Sequence, residues 1–351
     1  MNGHPPSPGV LYAAAFVIAA AVSALTTPLI VSLATRLGIV DDDGAERRMH
    51  EQPKPRIGGI AVFLGFAFAL FAVLGVSLAS PLGLLPAADQ FDAIHRLVGL
   101  LFGSLLILGV GIWDDVMQMQ ARNKLVAQIV VALVSMLYGF VIPGITNPFD
   151  HNPGTNWIDF PLWVGVPLTL LWYVGMMNAI NFLDGLDGLL AGVAAISSLF
   201  LFVIAVLHGN PVVALVVAAL TGAALGFLPF NFNPARIILG DAGSLFIGYV
   251  FATVSIIGAS KTAIAISVVV PLLVLALPVL DTAAAIVRRA RSGKRITEAD
   301  RGHFHHQLIF RFGLNVRQAV LLLYAVCFVL GAVALAFSGE FTHVFRRAAG
   351  S

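Results

Sequence analysis

Residues 178–228 read NAINFLDGLDGLLAGVAAISSLFLFVIAVLHGNPVVALVVAALTGAALGFL. Two apolar runs, near 187–207 and 211–229, are separated by little more than His208-Gly209-Asn210. Each is long enough to cross ~30 Å of hydrocarbon as an α-helix. A chain in lipid must satisfy its backbone internally, so the stretch reads as a hairpin of two membrane-spanning helices. Just ahead of it, Asn178, Asn181, Asp184 and Asp187 recur at intervals of three.

Working outward, runs of the same kind lie near 10–34, 59–79, 95–113, 124–142, 161–180, 243–259, 263–287 and 318–337, which makes ten in all. The 351 residues are 59% hydrophobic and 11% charged, with a mean hydropathy of +0.94. Soluble domains carry about 25% charged residues, so a soluble fold is excluded. The single cysteine, Cys327, excludes an internal disulfide framework. The longest loop, 288–317, is shorter than the ~40 residues below which a segment seldom folds unaided. The expected fold is an all-α polytopic integral membrane protein with about ten transmembrane helices. Residues 1–351 form one domain, 338–351 are a flexible tail, and the catalytic site is built from loops on one face.

Of the 20 Lys and Arg, 16 fall in or beside the alternate loops 36–58, 114–124, 230–242 and 288–317, and 12 of the 18 acids lie in or beside these loops or the fifth of the same set, which holds Asp184 and Asp187. The positive-inside bias makes those loops cytoplasmic and puts both termini outside. The leading MNGHPPSPG lacks the basic flank of a cleavable signal, so the first span is expected to be retained. Polar chemistry confined to one face, with no internal repeat, argues against a transporter. Asp281, the acid deepest in an apolar run, is the best clue for an ion-coupled one. No nucleic-acid partner is expected.

The polar loops carry the chemistry. DDDGAERRMHEQPKPRIGGIAV (41–62) places Arg47, Arg48, His50, Lys54 and Arg56 beside Gly58-Gly59, whose backbone amides are expected to lie open to an anion. GIWDDVMQMQARNKL (111–125) sets two adjacent carboxylates, Asp114 and Asp115, at the membrane surface, suited to holding a divalent cation or to capping a helix. Lys124 follows nine residues after Asp115, either as an anion contact or as a snorkelling side chain. Asn178, Asn181, Asp184 and Asp187 spread over about half of an α-helical cylinder or stack in a 3₁₀ turn, and either way can converge on one ligand. Polar groups of this kind at a membrane edge are expensive without partners. FNFNPARIILGDAGSL (230–245) brings Asn231 and Asn233 ahead of Gly240-Asp241-Ala242-Gly243-Ser244, where Asp241 is a hard-oxygen ligand or an N-cap. The loop 288–317 holds eight cations with His303, His305 and His306. Phosphate binding suits that set better than zinc, although an intramembrane zinc hydrolase is the rival.

Hard-oxygen ligands, cations and small residues on one face describe a phosphoryl-transfer site, and the lipid-facing helices imply a lipid substrate. In this order the motifs resemble those of the polyprenyl-phosphate N-acetylhexosamine-1-phosphate transferase superfamily, from the Arg47–Gly59 loop to Arg317. The HFHH stretch (303–306), with Arg288-Arg289 upstream and Arg317-Gln318-Ala319 downstream, is similar to the branch that makes undecaprenyl-diphospho-N-acetylglucosamine. The branch acting on UDP-N-acetylmuramoyl-pentapeptide tends to show three consecutive histidines.

The resemblance implies a bacterial plasma-membrane enzyme in which UDP-GlcNAc and undecaprenyl phosphate react, with Mg²⁺ or alternatively Mn²⁺, to give the lipid-linked sugar diphosphate and UMP. It implies Asp241 and Asn181 as metal contacts, Lys124 as a diphosphate contact and Asp184 and Asp187 as nucleotide contacts. His303, His305, His306 and Arg301 would touch sugar or phosphate, and Asp114 and Asp115 carry the catalytic role. Asn178, Asn231, His50 and Arg56 complete the expected substrate-binding set. Where the family often has a stacking Phe, this chain has Ile238. A phosphate monoester has its second pKa near 6, so the acceptor needs no general base and direct attack on the β-phosphorus is expected, with a phospho-enzyme as the alternative. The apolar surface also permits a homodimer.

Overall fold

In a computed structural model, the structure describes residues 8–41, 54–79, 87–146, 157–259 and 308–338. The expected span at 263–287 lies outside them, as do His50, Arg301, His303, His305 and His306. The helices are α1 (Pro8–Leu37), α2 (Gly59–Ala79), α3 (Ala87–Met117), α4 (Ala121–Leu137), α5 (Leu162–Leu183), α6 (Leu189–Leu207), α7 (Pro211–Asn231), α8 (Gly240–Ala259) and α9 (Val316–Phe337). Two short antiparallel pairs join them: β1 (Val40–Asp41) with β2 (Lys54–Pro55), and β3 (Gly144–Thr146) with β4 (Trp157–Asp159).

Eight of these helices are long and apolar enough to cross a membrane, which makes the chain a multi-pass, all-α membrane protein. The other, α4, has 17 residues and stops before the expected end of its span. Gly139 enters the left-handed region (φ 84°), and Tyr138 and Gly139 donate back to Ser135 and Met136, so the apolar residues beyond continue without a helix. At its start α3 runs earlier than its apolar stretch, adding turns that carry Asp92, which pairs i,i+4 with Arg96.

Local signals set several boundaries. Asn210 accepts from the amide of Val213 ahead of Pro211, capping α7, and Asn315 with Gln318 forms a capping box on α9. Gly222 and Gly226, one turn apart on α7, leave no room for a side chain beside the carbonyls of Phe16 and Ala20 on α1. Such small-residue seams let membrane helices pack by close backbone approach.

The core is organised around α7 and α8. Helix α7 packs against α1, α2 and α6, while α8 packs against α3, α5 and α2. Phe246 of α8 meets Phe63 and Phe66 of α2 edge-on, with centroids 5.5 and 5.3 Å away. Over its apolar window α8 is 94% buried, whereas α1 is 28% and α9 33% buried, so the latter pair form part of the lipid-facing wall.

Candidate active site

Four helix ends meet at one level: the C-termini of α3 and α5 and the N-termini of α4 and α8. The close approach of α3 to α4 has a local cause. Gln118 takes a positive φ of 50°, its N–H donates to Asp114 O, and the next amide, Met119 N–H, donates to Asp114 Oδ1 at 2.7 Å. The three-residue link that results starts α4 at Ala121, which brings Lys124 back beside Asp114.

The Lys124 ammonium lies 2.7 Å from Asp114 Oδ2, 2.9 Å from Asp241 Oδ2 and 3.4 Å from Asn181 Oδ1. Asn181 Nδ2 donates to Asp241 Oδ1 and, at 2.7 Å, to Ser244 Oγ. Ser244 stands three residues after Asp241, on the same face of the first turn of α8. That spacing is the signal that could have placed it in the site from sequence alone.

Asp115, the neighbour of Asp114, faces elsewhere. Its side chain is fully buried, and its oxygens accept the backbone N–H groups of Asp241 and Ala242 at 2.8 and 2.9 Å. Arg56 Nε approaches the same carboxylate at 3.4 Å. Asp115 therefore caps α8 from a different helix, satisfying amides that have no partner within their own helix. Gly240, with φ 75°, makes this possible, since a Cβ there would strike the Arg56 carbonyl and the Asp115 carboxylate.

The Gly58-Gly59 amides are not open to an anion. They donate to the carbonyls of Ile238 and Leu239 at 3.0 and 2.8 Å, while Ile238 N–H donates to Pro55 O. The glycines serve close packing instead, because a Cβ on Gly59 would collide with the backbone of Gly243. This contact ties the basic loop to the start of α8.

The four polar residues spaced by three do not converge on one point, because α5 ends at Leu183. Asn181 faces the cluster, and Asp184, the C-cap, lies near Asp241, Asp115 and the Gly240 amide. Desolvation, reinforced by the charges of Asp241 and Asp115, pushes Asp184 up to about 8. Asn178, a turn earlier, donates to Gln128 Oε1 on α4 and to Val174 O. Asp187 lies in the turn before α6, where it pairs with Lys54 at 2.9 Å and accepts from Asn233 Nδ2 and Ala235 N–H. The buried Asn231 donates to Ile237 O. Asn178, Asp187 and Asn231 thus hold the framework, and the pairing of Asp187 with Lys54, 133 positions away, had no local signal.

Chemically, the centre offers two carboxylates and an amide oxygen around one cation. Among the described residues no three His, Cys, Asp or Glu side chains gather into a metal cluster. Hard oxygens, few in number, fit magnesium, which is commonly held by one or two carboxylates with substrate phosphates and water.

The fold and this polar centre define a membrane-embedded site of hard oxygens gathered around one cation. The family model for glycosyl transferase family 4 matches residues 97–259, from α3 through α8. The chain is 34% identical over 326 residues to a probable undecaprenyl-phosphate N-acetylglucosaminyl 1-phosphate transferase of Bacillus subtilis (strain 168), covering 92% of this chain and 83% of that one. It is 35% identical over 325 residues to the decaprenyl-phosphate N-acetylglucosaminephosphotransferase of Mycobacterium tuberculosis (strain ATCC 25618 / H37Rv), covering 87% and 77%. A phospho-N-acetylmuramoyl-pentapeptide-transferase of Staphylococcus aureus (strain Newman) is 28% identical over 300 residues, covering 84% and 88%. The chain belongs to glycosyl transferase family 4, within the polyprenyl-phosphate N-acetylhexosamine-1-phosphate transferase superfamily, and is a membrane phosphoglycosyltransferase.

Proposed function

We propose that the protein transfers N-acetylglucosamine-1-phosphate from UDP-GlcNAc to undecaprenyl phosphate, releasing UMP and starting a cell-envelope polysaccharide at the cytoplasmic face of a bacterial plasma membrane. The observation that carries the reading is the convergence of Asp114, Asn181 and Asp241 oxygens, from three helices, on the ammonium of Lys124. The sugar follows the names of the two relatives of 34% and 35% identity, and the undecaprenyl lipid follows the first of them. The one-sided Lys and Arg bias supports a cytoplasmic cluster with both termini outside.

In this reading Asp241, Asn181 and Asp114 hold Mg²⁺, which when bound would neutralise charge on the donor's diphosphate. Lys124 contacts that diphosphate, and Asp184 lines the nucleotide side of the cleft. Asp115 works as a positioning residue by fixing the start of α8 and so the aim of Asp241. An oxygen of the lipid phosphate attacks the donor β-phosphorus, the bond from that phosphorus to the bridging oxygen breaks, and UMP leaves with the electron pair. Because bond-making is at phosphorus, the sugar's anomeric bond is untouched. Positioning and charge stabilisation supply the catalysis, and the acceptor, already largely a dianion near neutral pH, needs no proton removed.

The test is an assay of purified protein with UDP-GlcNAc, undecaprenyl phosphate and Mg²⁺, reading UMP and lipid-linked product. Release of UMP that needs lipid and metal and disappears in Asp241→Ala supports the reading. Turnover only with another UDP-N-acetylhexosamine, including UDP-MurNAc-pentapeptide, overturns the sugar assignment. A burst of UMP without acceptor overturns direct attack.

A further inference from the structure

Each carboxylate of the cluster is held on one side by the protein and faces a cation on the other. Asp114 Oδ1 accepts from Met119 N–H, and Asp241 Oδ1 accepts from Asn181 Nδ2, whose own position is fixed by Ser244. The Oδ2 atoms of both, with Asn181 Oδ1, face the Lys124 ammonium. The pocket's walls are therefore set by groups other than the cation that fills it. Those three oxygens are also the ones assigned above to the divalent ion, and an ammonium and a divalent ion repel too strongly to share them at contact distance.

We propose that Lys124 is a placeholder: its ammonium neutralises Asp114 and Asp241 in the donor-free protein, and a divalent cation entering these oxygens displaces it towards the donor's diphosphate. The inference rests on the metal reading above and adds a coupling to it. Metal entry frees a cation for the donor, and the donor gives the displaced cation an anionic partner, so each favours the other by the same factor. Lysine suits the role, as its flexible four-carbon stem and point charge allow the head to swing while the first turn of α4 stays in place.

Full-length protein in detergent is titrated with Mn²⁺, read by the electron paramagnetic resonance of the free ion, with and without UDP at fixed free Mn²⁺ and without lipid acceptor. Lys124→Met is expected to bind Mn²⁺ about tenfold tighter than wild type without UDP, within the usual size of such couplings. UDP is expected to tighten Mn²⁺ binding more in wild type than in the variant. Independently, in wild type labelled with ¹³C at lysine Cε, where the chain has four lysines, the resonance absent from Lys124→Arg is expected to shift on adding Mg²⁺. Equal or weaker Mn²⁺ binding by a Lys124→Met protein of unchanged melting temperature overturns the placeholder role and leaves the metal reading standing. An unmoved Lys124 resonance at Mg²⁺ concentrations that saturate the site does the same. Wild type that binds no Mn²⁺ even with UDP overturns both.

Discussion

The carboxylate of Asp115, at the end of one helix, accepts the backbone N–H of Asp241, at the start of another, at 2.8 Å. Its second oxygen takes the next amide, Ala242, so the two helices are joined at the point where Asp114 and Asp241 must face each other. Asp115→Ala would leave two buried amides unpaired, at a cost of ~1–3 kcal/mol each. The expected outcome is a lower melting temperature together with weaker divalent binding. Asp115→Asn, which keeps one acceptor, should lie between. A folded Asp115→Asn with wild-type metal affinity and melting temperature but no turnover would show that Asp115 acts on substrate instead.

Asp184 gives a pH dependence of defined sign. Its pKa is about 8 in the folded protein, against 3.8 as the ordinary value, so the folded state holds the proton more tightly than the unfolded one. Stability is then greatest below about 4 as far as this group is concerned, and falls as pH rises towards about 8. Asp184→Asn removes the titration. Thermal unfolding of wild type and variant across this window should show the variant gaining relative stability as pH rises. Parallel curves would contradict the raised pKa.

The Lys54–Asp187 pair is nearly enclosed, with side-chain exposures of 13% and 3%. Removing one partner of such a pair commonly costs ~3–5 kcal/mol, because the other charge stays buried. Asp187→Ala is therefore expected to lower the melting temperature sharply, and Lys54→Met combined with Asp187→Asn to recover part of the loss. Unchanged stability with a raised KM for the sugar nucleotide would instead make Asp187 a nucleotide contact.

Gly59→Ala tests the contact between the basic loop and α8. A methyl group there meets Gly243 backbone that cannot yield without moving α8. Overpacking of this kind typically costs ~1–3 kcal/mol. Loss of melting temperature and of activity together is the expected result, while Gly75→Ala on the same helix, where nothing lies within 4 Å, should be well tolerated.

The membrane helices were legible because apolar length is a local property of the chain. Residues 187–207 and 211–229 appear as α6 and α7 almost to the residue. The end of α4 was less legible, since apolar residues persist past Gly139 and only the left-handed turn stops the helix. Asp114, Lys124, Asn181 and Asp241 were each singled out and do assemble. What spacing could not tell was direction: adjacent Asp114 and Asp115 diverge because one faces Lys124 and its neighbour the α8 terminus. The intervals of three from Asn178 to Asp187 lost their meaning where the helix ended, and pairings such as Lys54 with Asp187 arise only once distant loops are folded together.

Enclosure of α8 also bears on how the protein is made. Its apolar window has a hydropathy of 1.5, against 2.2 for α1 and 2.7 for α9, and it carries Tyr249, Thr253 and Ser255, all buried. Hydroxyls hydrogen-bond within this interior, as Tyr249 does with Ser135 of α4 at 2.9 Å. A segment so furnished has a weaker claim on lipid than α2 and α3 beside it, at 2.5 and 2.0. During biogenesis α8 thus leans on α2 and α3 already in the bilayer to receive it, and Asp241 at its tip arrives only when that reception is complete.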